Sequence, residues 1–248
     1  MKSAVVLLSG GLDSTTALYV ARRDGMKLVA LSFDYGQLHG RELLSAKKIA
    51  SSLGVEHWTI PLSLPWGGSA ITDPHVPLPK GRSEAAIKEG IPATYVPARN
   101  SIFLSLAASL AEAKGAEAIY FGANALDYSG YPDCRPAFIE AFQKMVEEGT
   151  RAGVEGKKIR VVAPLLKLSK AGIVRLGGQL KVPFEWTWSC YEGKDFPCGE
   201  CDSCILRAKG FQEAGLDDPL LSLRTPRSGA KQSQNHKIAS SSLRVSSQ

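Results

Sequence analysis

An apolar run, Ala4-Val5-Val6-Leu7-Leu8, ends at Ser9-Gly10-Gly11-Leu12-Asp13-Ser14 and gives way to a stretch with Ala17, Leu18 and Ala21 on one face. A buried strand, a glycine pair and an amphipathic helix over residues 14–24 commit the N-terminus to a β-loop-α unit. Such a strand belongs in a parallel sheet covered by helices. The loop is also suited to hold phosphate. Its glycines let backbone N–H groups approach an anion, and the helix contributes its positive end. Ser9, Ser14, Thr15 and Thr16 add hydroxyl donors. Asp13 is an acid beside a phosphate site, which fits a divalent metal ion or an N-cap bond. The alternative is a plain glycine turn between strand and helix.

No G-x-x-x-x-G-K-[ST] run occurs, so no lysine is fixed at the end of this loop. The SGGLDS segment resembles instead the PP-loop of enzymes that cleave ATP to AMP and pyrophosphate. That resemblance implies that the loop holds the departing pyrophosphate while the α-phosphate goes to the substrate.

Strands and helices alternate from there. Residues 27–33 and 55–60 read as a second and a third strand. Between them residues 41–53 form a helix with Leu43, Ala46, Ala50 and Leu53 at helical spacing. Residues 61–97 are broken by prolines and glycines, with only residues 83–89 offering a short helix. A stretch of that length is either a substrate lid or a decorative insertion. Residues 100–114 are apolar nearly all round, which predicts a buried helix. Residues 118–122 and 159–163 supply a fourth and a fifth strand, residues 136–148 a helix between them, and Ser169 the cap of another. The expected fold is α/β, a parallel sheet with right-handed crossovers in residues 1–186. A cysteine-bearing appendage occupies residues 187–223, and residues 224–248, rich in Ser, Gln and Lys, read as a disordered tail.

Hydrophobic residues make up 44% of the chain and charged residues 22%, with no apolar run of membrane-spanning length. Met1-Lys2-Ser3 leads straight into a strand, so no signal peptide is expected and a cytoplasmic location is. The net charge is +6, but five bases and no acid lie from Arg224 onward, leaving +1 for the rest. The basicity therefore belongs to the tail, and no nucleic-acid or membrane partner is expected.

Cys190, Cys198, Cys201 and Cys204 are spaced C-x7-C-x2-C-x2-C. In a reducing compartment this pattern points to metal rather than disulfides. Four thiolates saturate a tetrahedral Zn²⁺, which makes the site structural; an iron–sulfur cluster is the rival occupant. Cys134 stands apart, with no histidine near it in sequence to activate it as a nucleophile.

Ligands bind open parallel sheets beyond the carboxyl ends of the strands. Asp34-Tyr35-Gly36-Gln37 follows the second strand and is expected to face the same cleft as the loop at Ser9. Arg99, in Val96-Pro97-Ala98-Arg99-Asn100, is a candidate to neutralise an α-phosphate, against a purely structural role. Lys167, just after the fifth strand, is a second candidate phosphate contact, and His39 is the one histidine near the cleft. Asn124, Asp127, Tyr128, Tyr131, Asp133 and Arg135 follow the fourth strand. They offer stacking faces, carboxylates for ring N–H groups and a cation for a carboxylate, a set that suits recognition of a base.

SGGLDS, DYGQ, VPARN, the run from Gly122 to Arg135 with YSGYPDCR, and SCYEG…PCGECDSCILR occur in an order that resembles the 7-cyano-7-deazaguanine synthase (QueC) family, over most of residues 1–211. The resemblance implies an adenine-nucleotide α-hydrolase-like, Rossmann-like fold, a tetrathiolate zinc and a homodimer. It implies ATP-dependent conversion of 7-carboxy-7-deazaguanine and ammonia to the nitrile preQ0, which feeds queuosine biosynthesis. On that basis Leu8, Ser9, Gly10, Gly11, Leu12, Asp13, Ser14, Phe33, Tyr35 and Gln37 hold the nucleotide. Asp13, Ser14, Arg99 and Lys167 carry catalysis, and Mg²⁺ offsets the triphosphate charge. Leu38 stands where a basic residue is expected after Tyr35-Gly36-Gln37, so His39 or Arg41 would have to supply any charge there.

The chemistry calls for two activations. A carboxylate cannot react with ammonia until adenylation makes AMP the leaving group. Removal of the amide oxygen then calls for a second adenylation on that oxygen. One PP-loop serves both rounds. The rival readings are a PP-loop tRNA-thiolating enzyme, which would need a cluster or persulfide cysteine, and a zinc-ribbon nucleic-acid-binding protein, which leaves SGGLDS unexplained.

Overall fold

The computed structural model of the chain describes residues 2–125 and 130–221. Five parallel strands, β1 (Ser3–Leu7), β2 (Lys27–Asp34), β3 (Glu56–Pro61), β4 (Ala118–Tyr120) and β5 (Arg160–Val162), form one sheet in the order β3-β2-β1-β4-β5. The helices are α1 (Leu12–Arg23), α2 (Arg41–Ser52), α3 (Glu84–Ile87), α4 (Arg99–Lys114), α5 (Pro136–Gly149), α6 (Arg151–Val154), α7 (Lys170–Gln179) and α8 (Asp202–Ala214).

The alternation of each strand decides which layer its side chains join. Val5, Leu31 and Ile119 point to the face covered by α4 and α5. Ala4, Val6, Ala30, Ala118 and Tyr120 point to the face covered by α1 and α2. In α5, Ile139, Phe142 and Val146 recur at helical spacing and are buried. Burial of such side chains contributes about 1.5–3 kcal/mol each. Pro136 occupies the first turn of α5, where its missing N–H costs nothing. The Ser169 hydroxyl accepts from the Gly172 N–H at 3.1 Å, as a cap of α7 should.

Two expectations change. The helix expected to be buried all round, α4, buries Leu104, Ala107, Ala108 and Ala111. Ile102, Leu106 and Leu110 are only half-buried, and Ser105 and Ser109 are exposed. One apolar flank of α4 thus reaches the surface. Residues 61–97, read as lid or decoration, are tied to the cysteine segment. Lys80 and Cys201 form an antiparallel bridge, and Gly81 N–H donates to the Glu200 carbonyl at 2.9 Å. Arg82 pairs with Asp202, Lys80 with Glu192 and Glu84 with Lys209. Among the described residues no helix is long and apolar enough to cross a membrane. The tail over residues 224–248 lies outside the described residues, as do Asp127 and Tyr128.

Candidate functional site

The strand order reverses between β1 and β4, and the loop after β1 opens at that switch point, where parallel sheets bind ligands. The N-cap of α1 is Gly11, which offers no side-chain cap, so the first N–H groups of the helix stay available to an anion. Ser9 and Ser14 meet through their hydroxyls at 3.0 Å, and the Ser9 N–H donates to the Ser14 Oγ at 3.2 Å. Gly10 has φ +87°, and a side chain there would run into the Glu42 carbonyl of α2. A Cβ at Gly122, just beyond β4, would lie 2.8 Å from the Asp13 carbonyl carbon and the Ser14 nitrogen. Trp188 N–H donates to the Gly10 carbonyl at 2.9 Å, so the C-terminal segment also fixes the loop.

A cavity of about 330 Å³ lies against this loop. Of the residues expected at the nucleotide, Leu8, Ser9, Gly11, Leu12, Asp13, Ser14, Phe33, Tyr35 and Gln37 line it, and Gly10, in the same loop, does not. Thr15 and Thr16, expected as extra hydroxyl donors, do not line it; Thr16 bonds back to the Leu12 carbonyl at 2.8 Å. The Gln37 side chain closes the turn by accepting from the Tyr35 N–H at 2.8 Å.

Arg99 opens α4 after Ala98, whose φ of +51° places a non-glycine residue in the left-handed region. It donates to the Tyr35 hydroxyl at 3.0 Å, and Tyr35 and Phe33 both pack on Phe103. Burial opposes the Arg99 charge, but Tyr35, Tyr131 and Asp133 outweigh it and hold the guanidinium protonated.

Lys167 is exposed and does not line the cavity. The lysine at the cavity is Lys170, on the first turn of α7, which reaches both oxygens of Asp13 at 2.8 and 2.7 Å. Nothing in the local sequence distinguishes the two lysines; only the docking of α7 on α1 does.

On the base-recognition side, Asn124 and Tyr131 line the cavity. Asn124 donates to the Leu168 carbonyl at 2.7 Å, and the Tyr131 hydroxyl meets Thr94 at 2.8 Å. Asp133 is buried away from the cavity lining. It accepts from the Asn100 N–H at 3.0 Å, capping α4 behind Arg99. Arg135 is exposed at the start of α5 and does not line the cavity. Cys134 does line it, but burial and the nearby Asp133 push its thiol up to about 12, the wrong direction for a nucleophile.

Leu38 is exposed, and Arg41 turns away to pair with Asp195 at 2.7 Å and to stack over Trp188. His39 is the basic side chain of this turn that lines the cavity. Among the described residues its buried Nδ1 has no hydrogen-bond partner, and burial lowers its pKa, which favours the neutral ring. Glu42, Tyr191 and Trp188 also line the cavity and were not singled out by sequence. Glu42 was the findable one: it sits on the helix that follows DYGQ, at the carboxyl end of a strand.

The four appendage cysteines bring their sulfurs within 4.8 Å of one another, the one such His/Cys/Asp/Glu grouping among the described residues. Four thiolates about 2.3 Å from a central ion fit inside that spacing. Backbone N–H groups of Cys198, Glu200 and Cys201 point at sulfurs, as in a turn wrapped round a metal. The set can hold a metal ion, and Trp188 Nε1 bonds the Cys190 carbonyl at 2.8 Å, joining it to the cavity wall.

The family model for "Queuosine biosynthesis protein QueC" matches residues 3–215. The chain is 56% identical over 220 residues to a 7-cyano-7-deazaguanine synthase of Trichodesmium erythraeum, covering 88% of this chain and 99% of that one. It is 57% identical over 221 residues to the enzyme of that name from Anaeromyxobacter dehalogenans, covering 88% and 94%. Among solved structures, a 4-thiouridine synthetase–RNA complex with bound ATP aligns over 86% of this chain and 50% of that one, at 21% identity and a TM-score of 0.44, too distant to carry weight. Matched along almost its whole described length, the chain belongs to the QueC family of queuosine biosynthesis proteins.

Proposed function

We propose that the protein converts 7-carboxy-7-deazaguanine, ammonia and ATP to 7-cyano-7-deazaguanine by adenylating in turn the two oxygens carried by one carbon. The observation that carries this reading is the convergence, on one cavity, of an uncapped glycine loop, an arginine and a lysine, with the aromatic Tyr131 beside them. The glycine loop and the N-terminus of α1 receive the pyrophosphate. Arg99, held by Tyr35, faces the α-phosphate as charge builds there. In this reading Lys170 takes the part that the sequence suggested for Lys167. Asp13 would hold the Mg²⁺ that accompanies ATP, in place of its lysine. Asn124 and Tyr131, with Asp127 and Tyr128, hold the deazapurine, while Asp133 acts indirectly by capping the helix that carries Arg99.

The cysteine cluster takes a structural Zn²⁺, because four thiolates leave no open position for water. Bound there, zinc supplies folding energy to the segment behind Trp188 and Tyr191. The half-buried row Ile102, Leu106 and Leu110 on α4 supports a homodimer. The protein works on small molecules in the cytoplasm, without nucleic acid.

The test is mass spectrometry of the carboxylate incubated with ATP, Mg²⁺ and ammonium. The nitrile should form through a transient amide, with AMP and pyrophosphate released. ADP and phosphate as products, or RNA held with a steep salt dependence while ATP is untouched, would overturn it. Metal analysis should return zinc and no iron.

A further inference from the structure

Nitrile formation strips protons from nitrogen, and none of the phosphate-handling residues is suited to take them. Asp13 is bonded to Lys170 and assigned to Mg²⁺ in that reading, Tyr35 is bonded to Arg99 and Tyr131 to Thr94, while the Cys134 thiol is held protonated. Glu42 is different. Glu42 lines the cavity, and among the described residues its side chain takes part in no hydrogen bond or salt bridge. Its position is fixed, because its own backbone carbonyl is the atom pressed against Gly10 of the phosphate loop. Glu42 thus shares one cavity with the phosphate loop and Arg99.

We propose that Glu42 is the proton acceptor for the steps at nitrogen, a role that rests on the nitrile-forming reading of this cavity. As the amide forms, the ammonia lone pair makes the C–N bond. AMP leaves with the former carboxylate oxygen and the C–O electron pair, and one N–H proton passes to Glu42. In the second round the amide oxygen attacks the α-phosphate and pyrophosphate leaves. The nitrogen then gives up both remaining protons in turn. The electrons of its N–H bond become the last C–N bond as AMP departs. Between transfers Glu42 returns its proton to solvent through the mouth of the cavity.

The charged and titratable groups facing Glu42 are Arg99 from α4, Tyr35 after β2, and Cys190 and Tyr191 from the cysteine segment. Burial raises the Glu42 carboxyl against the pull of Arg99, the direction a proton acceptor needs. His39 is the alternative acceptor on the same wall, and burial lowers its pKa.

The experiment compares the metal-loaded wild type with Glu42→Gln, Glu42→Asp and Glu42→Ala. Carboxylate-dependent ATP–pyrophosphate exchange without ammonium reports adenylation and an intact site. It should stay within about threefold of wild type, while nitrile formation by Glu42→Gln falls about 100-fold or more. Glu42→Asp should recover part of that loss, and formate should partly rescue Glu42→Ala. Nitrile formation by Glu42→Gln at the wild-type rate would overturn the assignment. So would exchange that falls in step with nitrile formation, which makes Glu42 a part of adenylation. A wild type that forms no nitrile overturns both the assignment and the reading beneath it.

Discussion

Lys170 grips both oxygens of Asp13 across 157 residues of sequence. An acid within a phosphate-binding loop repels its ligand unless something compensates, and the first turn of α7 delivers the compensation. Asp13→Asn and Lys170→Met should each lower ATP–pyrophosphate exchange by on the order of 10²–10³. Both side chains keep some solvent exposure, so thermal unfolding should shift little. Exchange assays paired with melting curves check this.

Arg99 is aimed by Tyr35. Tyr35→Phe removes one hydrogen bond, worth about 1 kcal/mol, and should slow both rounds about fivefold. Arg99→Lys keeps the charge but loses the planar fork, and should slow them by about 100-fold. Steady-state rates with the carboxylate and with the amide as starting material should fall in parallel.

A Cβ placed on Gly122 would come within 2.8 Å of the turn that carries Asp13 and Ser14, and the atoms it would meet are backbone. Gly122→Ala should displace the loop, raising the Kd for ATP about tenfold or more while far-UV circular dichroism is unchanged. Calorimetric titration with a non-hydrolysable ATP analogue measures it.

Much of this was legible in the sequence, where the signal is local. The β-loop-α unit at Ser9 and all five strands appear within two residues of their expected bounds, because alternation and glycine punctuation act over a few residues. The cysteine cluster was legible for the same reason. What could not be read depends on docking. The choice between Lys167 and Lys170 is made by the packing of α7 on α1. Asp133 looked like a substrate contact and instead caps α4, since its partner Asn100 lies 33 residues away. The half-exposed flank of α4 is invisible in a composition that is apolar on every side. The attachment of residues 61–97 rests on ion pairs such as Arg82–Asp202 that span 120 residues.

Those ion pairs make the metal site and the long insertion one unit. Cys201→Ser, or chelation, should release the metal and raise proteolysis and hydrogen exchange across residues 61–97 together with residues 187–214. Cys201 is fully buried, so the variant should also be less stable by several kcal/mol. Arg82→Ala should loosen the insertion alone, leaving the metal content intact.

Successive adenylation of the two oxygens on one carbon is tested most directly by isotope transfer. Substrate labelled with ¹⁸O in both carboxylate oxygens should pass one label to AMP as the amide forms and the other to AMP as the nitrile forms. Mass spectrometry of the AMP should find the label in the product of both rounds. Unlabelled AMP, or label recovered in phosphate or pyrophosphate, would contradict attack by the substrate's oxygen on the α-phosphate.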